Sequence, residues 1–163
     1  LEDKKLEIKD LTCPNVLKIH KIAEEYAKKG YFIILIGEKK HPETIGTASF
    51  CGEKSIILEK EEEIENVLNK IEKSDNILII AQTTYNSEKF DNLVDILKTK
   101  NPTKKIEVRK TICEATRIRQ KETENISKNV DLMIIIGGKK SSNTTKLYEI
   151  SKNNCPKVYF IQF

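Results

Sequence analysis

GYFIILIGEKKHPE at residues 30–43 decides the fold, and VDLMIIIGGKKSSN at 130–143 repeats its plan. In the first, Tyr31–Ile36 is an unbroken apolar run that stops at Gly37. A strand with one wet face alternates apolar and polar residues, whereas a run this uniform fits a strand covered on both faces, as in parallel sheets. Just upstream, Pro14 to about Lys29 reads as a helix. Pro sits just inside its start, Val16, Ile19, Ile22, Ala23 and Tyr26 recur at three-and-four spacing, and Gly30 closes it.

The same alternation runs on along the chain. Strands are expected at Leu6–Lys9, Ser55–Leu58, Asn76–Ala81, Ile106–Val108, Asp131–Ile136 and Val158–Ile161, with Asn76–Ala81 and Asp131–Ile136 buried. Helices are expected at Glu61–Ile71, from a Ser87 cap to about Lys100, at Glu114–Asn129 and at Asn143–Lys152. HPE at 41–43 falls in a loop stiffened by Pro42. Strands alternating with helices specify an α/β fold with a mostly parallel sheet.

Composition excludes several classes. In 163 residues, 38% are hydrophobic and 33% charged, which argues against disorder. No apolar run approaches the roughly 20 residues of a membrane helix, and Leu1 opens no signal-peptide pattern. The net charge of +4 does not make a nucleic-acid binder, because Arg occurs only at 109, 117 and 119 and the Lys residues are interleaved with Glu. The expectation is a soluble cytoplasmic protein without nucleic-acid or membrane partners. Cys13, Cys51, Cys113 and Cys155 form no CxxC pair, so a self-contained zinc site is poorly supported.

The repeat focuses attention on one sheet edge. Cys13 and Gly37 are 24 residues apart, as are Cys113 and Gly137, and His41 and Ser141 stand at matching places 100 residues apart. Ligands of open parallel sheets bind beyond the carboxyl ends of the strands, where these residues gather. Cys13 and Cys113 precede helices whose dipoles favour thiolate, the form that acts as nucleophile, acid/base partner or metal ligand. His41 can bind an anion or shuttle a proton, and Glu43 can deliver one. Ser141, Ser142 and Asn143 open a helix and offer hydroxyls, an amide and free N–H groups to an anion, or simply cap it. Gln82-Thr83-Thr84 adds two hydroxyls, and Lys39, Lys40, Lys139 and Lys140 add positive potential. Cys51 and Cys155 lack matched partners and read as structural, and His20 reads as a satisfied packing residue.

LTCPNVLKIH (11–20), GEKKHPETIGT (37–47), QTT (82–84), TICEATRIRQ (111–120) and GGKKSSNTTKL (137–147) occur in the order and spacing of one family. The chain resembles the LytB family, the 4-hydroxy-3-methylbut-2-enyl diphosphate reductases of the non-mevalonate isoprenoid route. The resemblance implies three similar α/β domains around a 4Fe-4S cluster held by three Cys, with Cys13 and Cys113 as two of them. It implies that His41 contacts substrate oxygen, Glu43 donates a proton, Thr83 contacts substrate, and Ser141, Ser142 and Asn143 hold the diphosphate. It further implies reductive dehydroxylation of an allylic diphosphate to isopentenyl and dimethylallyl diphosphate, with electrons from ferredoxin or flavodoxin.

The family's first Cys-bearing segment and its C-terminal Ser-bearing segment have no counterpart between Leu1 and Phe163. Smaller departures are Leu11 for the usual Ala and Lys140 for the usual Asn. The chain is therefore expected to be a fragment: residues 1–109 as the middle domain and 110–163 as an incomplete third domain, lacking the N-terminal domain. Two Cys are few for an iron–sulfur cubane, so the fragment alone is expected to be inactive. Two other functions fit parts of the pattern. One is a cofactor-free amino-acid racemase with two opposed thiols. The other is a non-catalytic anion-binding module built on the Gly loops and Lys pairs.

Overall fold

The computed structural model describes residues 9–138 and 140–163. The expected strand at Leu6–Lys9 and the side chain of Lys139 thus lie outside the described residues, save Lys9 itself. Helix α1 (Pro14–Lys28) leads into β1 (Phe32–Ile36), α2 (Pro42–Ala48) and β2 (Ser55–Leu58). A 3₁₀ turn at Glu61–Glu63 opens α3 (Ile64–Ile71), then β3 (Asn76–Ala81), α4 (Ser87–Lys100) and β4 (Lys105–Arg109) follow. The chain continues through α5 (Glu114–Ser127), β5 (Met133–Gly137), α6 (Ser142–Asn154) and β6 (Val158–Gln162). Gly30 takes φ of 79°, the left-handed conformation that ends a helix without Cβ strain.

Strands β1 to β4 form a parallel sheet in the order β2-β1-β3-β4, and β5 and β6 form a second parallel sheet. Alternate residues of the central strands serve two cores. Phe32, Ile34 and Ile36 of β1 join Ile77 and Ile79 of β3 against Val67 and Ile71 of α3 and Phe90 and Leu97 of α4. Ile33, Leu35, Leu78 and Ile80 pack the other way, against Ile19, Ala23 and Tyr26 of α1. Burial on both faces is what the unbroken apolar runs required, and each such side chain contributes about 1.5–3 kcal/mol of transfer free energy.

The second sheet differs from expectation. Ile135 is buried towards α6, but Ile134 and Ile136 are 52% and 64% exposed, beside exposed Tyr159 and Ile161 of β6. Asp131–Ile136 is therefore not a strand buried on both faces: among the described residues α6 packs on one side of it and the other is exposed. Two further corrections are local. HPE is no loop, because His41 caps α2 and Pro42 is its first residue. The cap of α4 is Asn86, whose side chain accepts from Lys89 N at 2.8 Å, while Ser87 is the first helical residue. Gln120 of α5 accepts from Ser87 N at 3.0 Å and donates to Tyr85 O at 3.1 Å, tying α5 to the start of α4. Among the described residues no helix is long and apolar enough to cross a membrane.

Candidate active site

The repeat seen in sequence is a repeat of hydrogen bonds. His41 N donates to Glu38 O at 3.0 Å and Ile45 N to His41 O at 3.0 Å; 100 residues on, Ser141 N donates to Gly138 O and Thr145 N to Ser141 O, both also at 3.0 Å. Each capping side chain closes the first turn of its helix: His41 Nδ1 accepts from Glu43 N at 3.2 Å and Ser141 Oγ from Thr144 N at 3.3 Å. The glycines match too. A Cβ on Gly37 would meet Thr44 Oγ1 at 2.8 Å, and one on Gly137 would meet Thr144 Oγ1 at 2.5 Å, so each strand end lies directly against its helix. Because His41 accepts at Nδ1, its neutral ring carries the proton on Nε2, an N–H available to an outside acceptor.

Three motif segments meet around Thr83. Its N–H donates to Glu43 Oε1 and its hydroxyl to Glu43 Oε2, both at 2.6 Å, so both carboxylate oxygens are held. Its carbonyl accepts from Cys113 N at 3.0 Å. Thr83 is thus the hinge between the proposed proton donor and a cysteine. Upstream, Thr111 Oγ1 binds both N and O of Ala81, at 2.8 and 2.5 Å, which carries the β3–β4 pairing up to the start of α5. Cys113 caps α5, its sulfur accepting from Thr116 N at 3.4 Å beside the Thr116 hydroxyl at 3.3 Å. Cys13 holds the same place at α1 but is exposed and makes no side-chain cap. Cys113 is half-buried and lines a pocket of ≈ 540 Å³ with Ile19, Tyr26, Arg109 and Thr111.

Sequence reasoning undervalued Gln82. It is 1% exposed at the end of a buried strand, where a polar side chain must be hydrogen-bonded. Its Oε1 accepts from Glu38 N at 2.9 Å and Thr44 Oγ1 at 3.1 Å. Its Nε2 donates to Thr84 Oγ1 at 2.8 Å and reaches Ser142 Oγ at 3.5 Å. Thr84 donates to Ser142 at 3.2 Å, and Ser142 to Glu38 Oε1 at 3.3 Å. Glu38 and Lys146 were missed outright. Lys146 Nζ lies 3.1 Å from Glu38 Oε1, with its side chain 12% exposed. Both line a cleft of ≈ 850 Å³ between α6 and the loops that leave β1 and β2.

The remaining candidates sort themselves. Asn143 Oδ1 is buried without a partner, and turning the amide over would present a donor there, as an anion requires. Lys39 is taken by Glu63, so it adds little to the local potential. His20 stacks on Phe50 at 4.3 Å but is not satisfied, since its Nε2 is buried without a partner. Cys51 and Cys155 are buried, and burial pushes the Cys51 thiol up to about 12, which makes it inert. Among the described residues no three His, Cys, Asp or Glu side chains gather as a metal group.

The family model described as LytB protein matches residues 1–163. The chain belongs to the LytB family. It is 46% identical over 163 residues to a 4-hydroxy-3-methylbut-2-enyl diphosphate reductase of Clostridium tetani, covering 99% of this chain and 24% of that protein. Against the enzyme of the same name from Caldanaerobacter subterraneus it is 44% identical, covering 99% of this chain and 54% of the relative. The solved structure of the corresponding reductase from Plasmodium falciparum matches with a TM-score of 0.82 at 33% identity, over 98% of this chain and 50% of that one. The chain spans about half the length of most of the curated relatives it matches, and about a quarter of the Clostridium tetani protein. The α/β architecture with helix-flanked parallel strands is that of the solved LytB structures.

Proposed function

We propose that this chain is part of a 4-hydroxy-3-methylbut-2-enyl diphosphate reductase and supplies the proton-delivery and diphosphate-binding sides of its site. The observation that carries this reading is the bonded set Glu43–Thr83–Cys113: it joins a carboxylate, a hydroxyl and a cysteine across three distant segments. In the proposed enzyme Glu43 holds the proton, and the Thr83 hydroxyl, which donates to Glu43, keeps lone pairs for a substrate hydroxyl. His41 presents its Nε2 hydrogen to substrate oxygen. Ser141, Ser142 and Asn143, at the start of α6, hold the diphosphate, where the helix dipole and free N–H groups favour an anion. Residues 1–109 and 110–163 are the two domains that carry these two sides.

A 4Fe-4S cluster would be held by Cys13, Cys113 and a cysteine from outside residues 1–163. The two thiols fit such a group in type, both at helix starts, and fall short of it in number. When bound, such a cluster supplies electrons and Lewis acidity for loss of the allylic hydroxyl as water. The electron donor is a ferredoxin or flavodoxin, and the setting is cytoplasmic. Neither a two-thiol racemase nor a simple anion-binding module uses the Glu43–Thr83 pair.

The test is a kinetic split in the full-length protein. Thr83→Val removes one donor to Glu43 and is expected to lower kcat about 100-fold, within the range for a displaced proton donor, with KM little changed. Ser142→Ala is expected to raise KM instead. Unchanged kinetics in both variants would remove the proposed roles.

A further inference from the structure

The Ser142 hydroxyl is already fully used. It accepts from Thr84 Oγ1 at 3.2 Å and from Gln82 Nε2 at 3.5 Å, and it donates to Glu38 Oε1 at 3.3 Å. Thr84 in turn accepts from Gln82 Nε2, so the bonds run in one direction: Gln82 to Thr84 to Ser142 to Glu38. A hydroxyl has one proton. While Ser142 gives it to Glu38, none is left for a phosphate oxygen. Glu38 is itself held in place, its N–H donating to the Gln82 side chain at 2.9 Å and its carboxylate facing Lys146 at 3.1 Å. A carboxylate beside the start of α6 also occupies, in charge, the place a phosphate would take.

We propose that Glu38 is a gate on the anion site: its carboxylate holds the Ser142 hydroxyl in the unliganded protein and must release it before a diphosphate oxygen can take it. This rests on the reading of Ser141, Ser142 and Asn143 as the diphosphate set. Glu38 therefore acts through Ser142 and Lys146, as a positioning residue. Its backbone contact to Gln82 survives any side-chain change, and its side chain is 34% exposed, so substitutions there leave the fold intact. Removing the carboxylate charge loosens its hold on the Ser142 hydroxyl, ends the repulsion between two anions and leaves Lys146, which Glu149 also faces at 3.7 Å, with one carboxylate fewer to compete with the incoming phosphate.

The probe is inorganic pyrophosphate, titrated calorimetrically into the full-length protein. Glu38→Gln is expected to bind it about 3- to 10-fold more tightly than the parent, as loss of a like charge a few ångströms away implies. Glu38→Asp, which keeps the charge but draws the carboxylate back from Ser142, is expected to fall between the parent and Glu38→Gln. The Glu38→Gln advantage should shrink between low and high salt, a dependence that a merely structural residue would not show. It should also fall in a Ser142→Ala background, where there is no hydroxyl left to gate. If Ser142→Ala weakens binding but Glu38→Gln binds no more tightly than the parent, the gate is overturned and the diphosphate reading stands. If Ser142→Ala has no effect, or pyrophosphate does not bind, the diphosphate reading fails and the gate with it.

Discussion

Gly137→Ala should destabilise the start of α6 by an amount the geometry bounds. The added Cβ would lie 2.5 Å from both Oγ1 and Cγ2 of Thr144 and 3.0 Å from its Cβ. Apolar contacts settle at about 3.5–4.0 Å, so roughly 1 Å must open. Thr144 cannot swing aside freely, because its hydroxyl is 2.9 Å from Ser141 Oγ and its N–H donates to the same oxygen. The helix start has to move. Overpacking of this kind costs about 1–3 kcal/mol, and in a chain of this size each kcal/mol lowers Tm by about 2–4 °C. Thr144→Ala removes the two closest atoms at the loss of one hydroxyl hydrogen bond, about 0.5–1.5 kcal/mol. The double variant should therefore be more stable than the two single losses predict, by about 1–2 kcal/mol. Thermal and urea unfolding of the four proteins provides the cycle. A Gly137→Ala chain as stable as the parent, or strictly additive losses, would refute the close approach. At the matching site, Gly37→Ala meets Gln82 Cβ at 3.0 Å as well as Thr44 Oγ1, so Thr44→Ala should rescue it less.

Two further outcomes are expected. Brief iodoacetamide treatment of the folded chain, mapped by mass spectrometry, should modify exposed Cys13 first and Cys51 last, since Cys51 is buried with its thiol pushed up to about 12; early labelling of Cys51 would contradict its packing. Hydrogen bonds from Tyr26 and Tyr31 hold the Glu107 carboxyl below its ordinary value. A group lowered on folding stabilises fully above its unfolded pKa, about 4.3 for Glu, and loses that contribution as pH falls through the folded value. The stability gap between the parent and Glu107→Gln should therefore be constant near neutrality and shrink below about pH 4.3, whereas a gap independent of pH would show that the tyrosines do not favour the ionised form.

The fold was legible where one residue type served one purpose. The unbroken run at 31–36 and the apolar run at 76–81 announced strands covered on both faces, and both are. The run at 131–136 carries the same signal and has only one face covered, because a pattern of apolar residues cannot say which layer lies within the described residues. HPE reads as a loop from sequence because a helix of seven residues gives periodicity too little length, although Pro at the first helical position and a side chain able to cap are both there. At the site, Cys113, Glu43 and Thr83 were legible as individuals from the 100-residue repeat and the strand ends. Their bonding was not, since it joins segments 30 to 40 residues apart. Glu38 and Lys146 stayed hidden for a plain reason: in a chain with 33% charged residues a single Glu or Lys looks like solvated surface. Gln82 could have been found, since an amide that directly follows NILIIA must have partners.

The central proposal is that Cys13 and Cys113 are two ligands of one redox cluster in the proposed reductase. The most direct measurement is anaerobic reconstitution of the full-length protein and of its Cys13→Ser and Cys113→Ser variants, with iron content, visible absorbance and reduction of the allylic diphosphate followed together. The account predicts a cluster and turnover in the parent and loss of both in each variant. Cluster absorbance and turnover that survive both substitutions would contradict it.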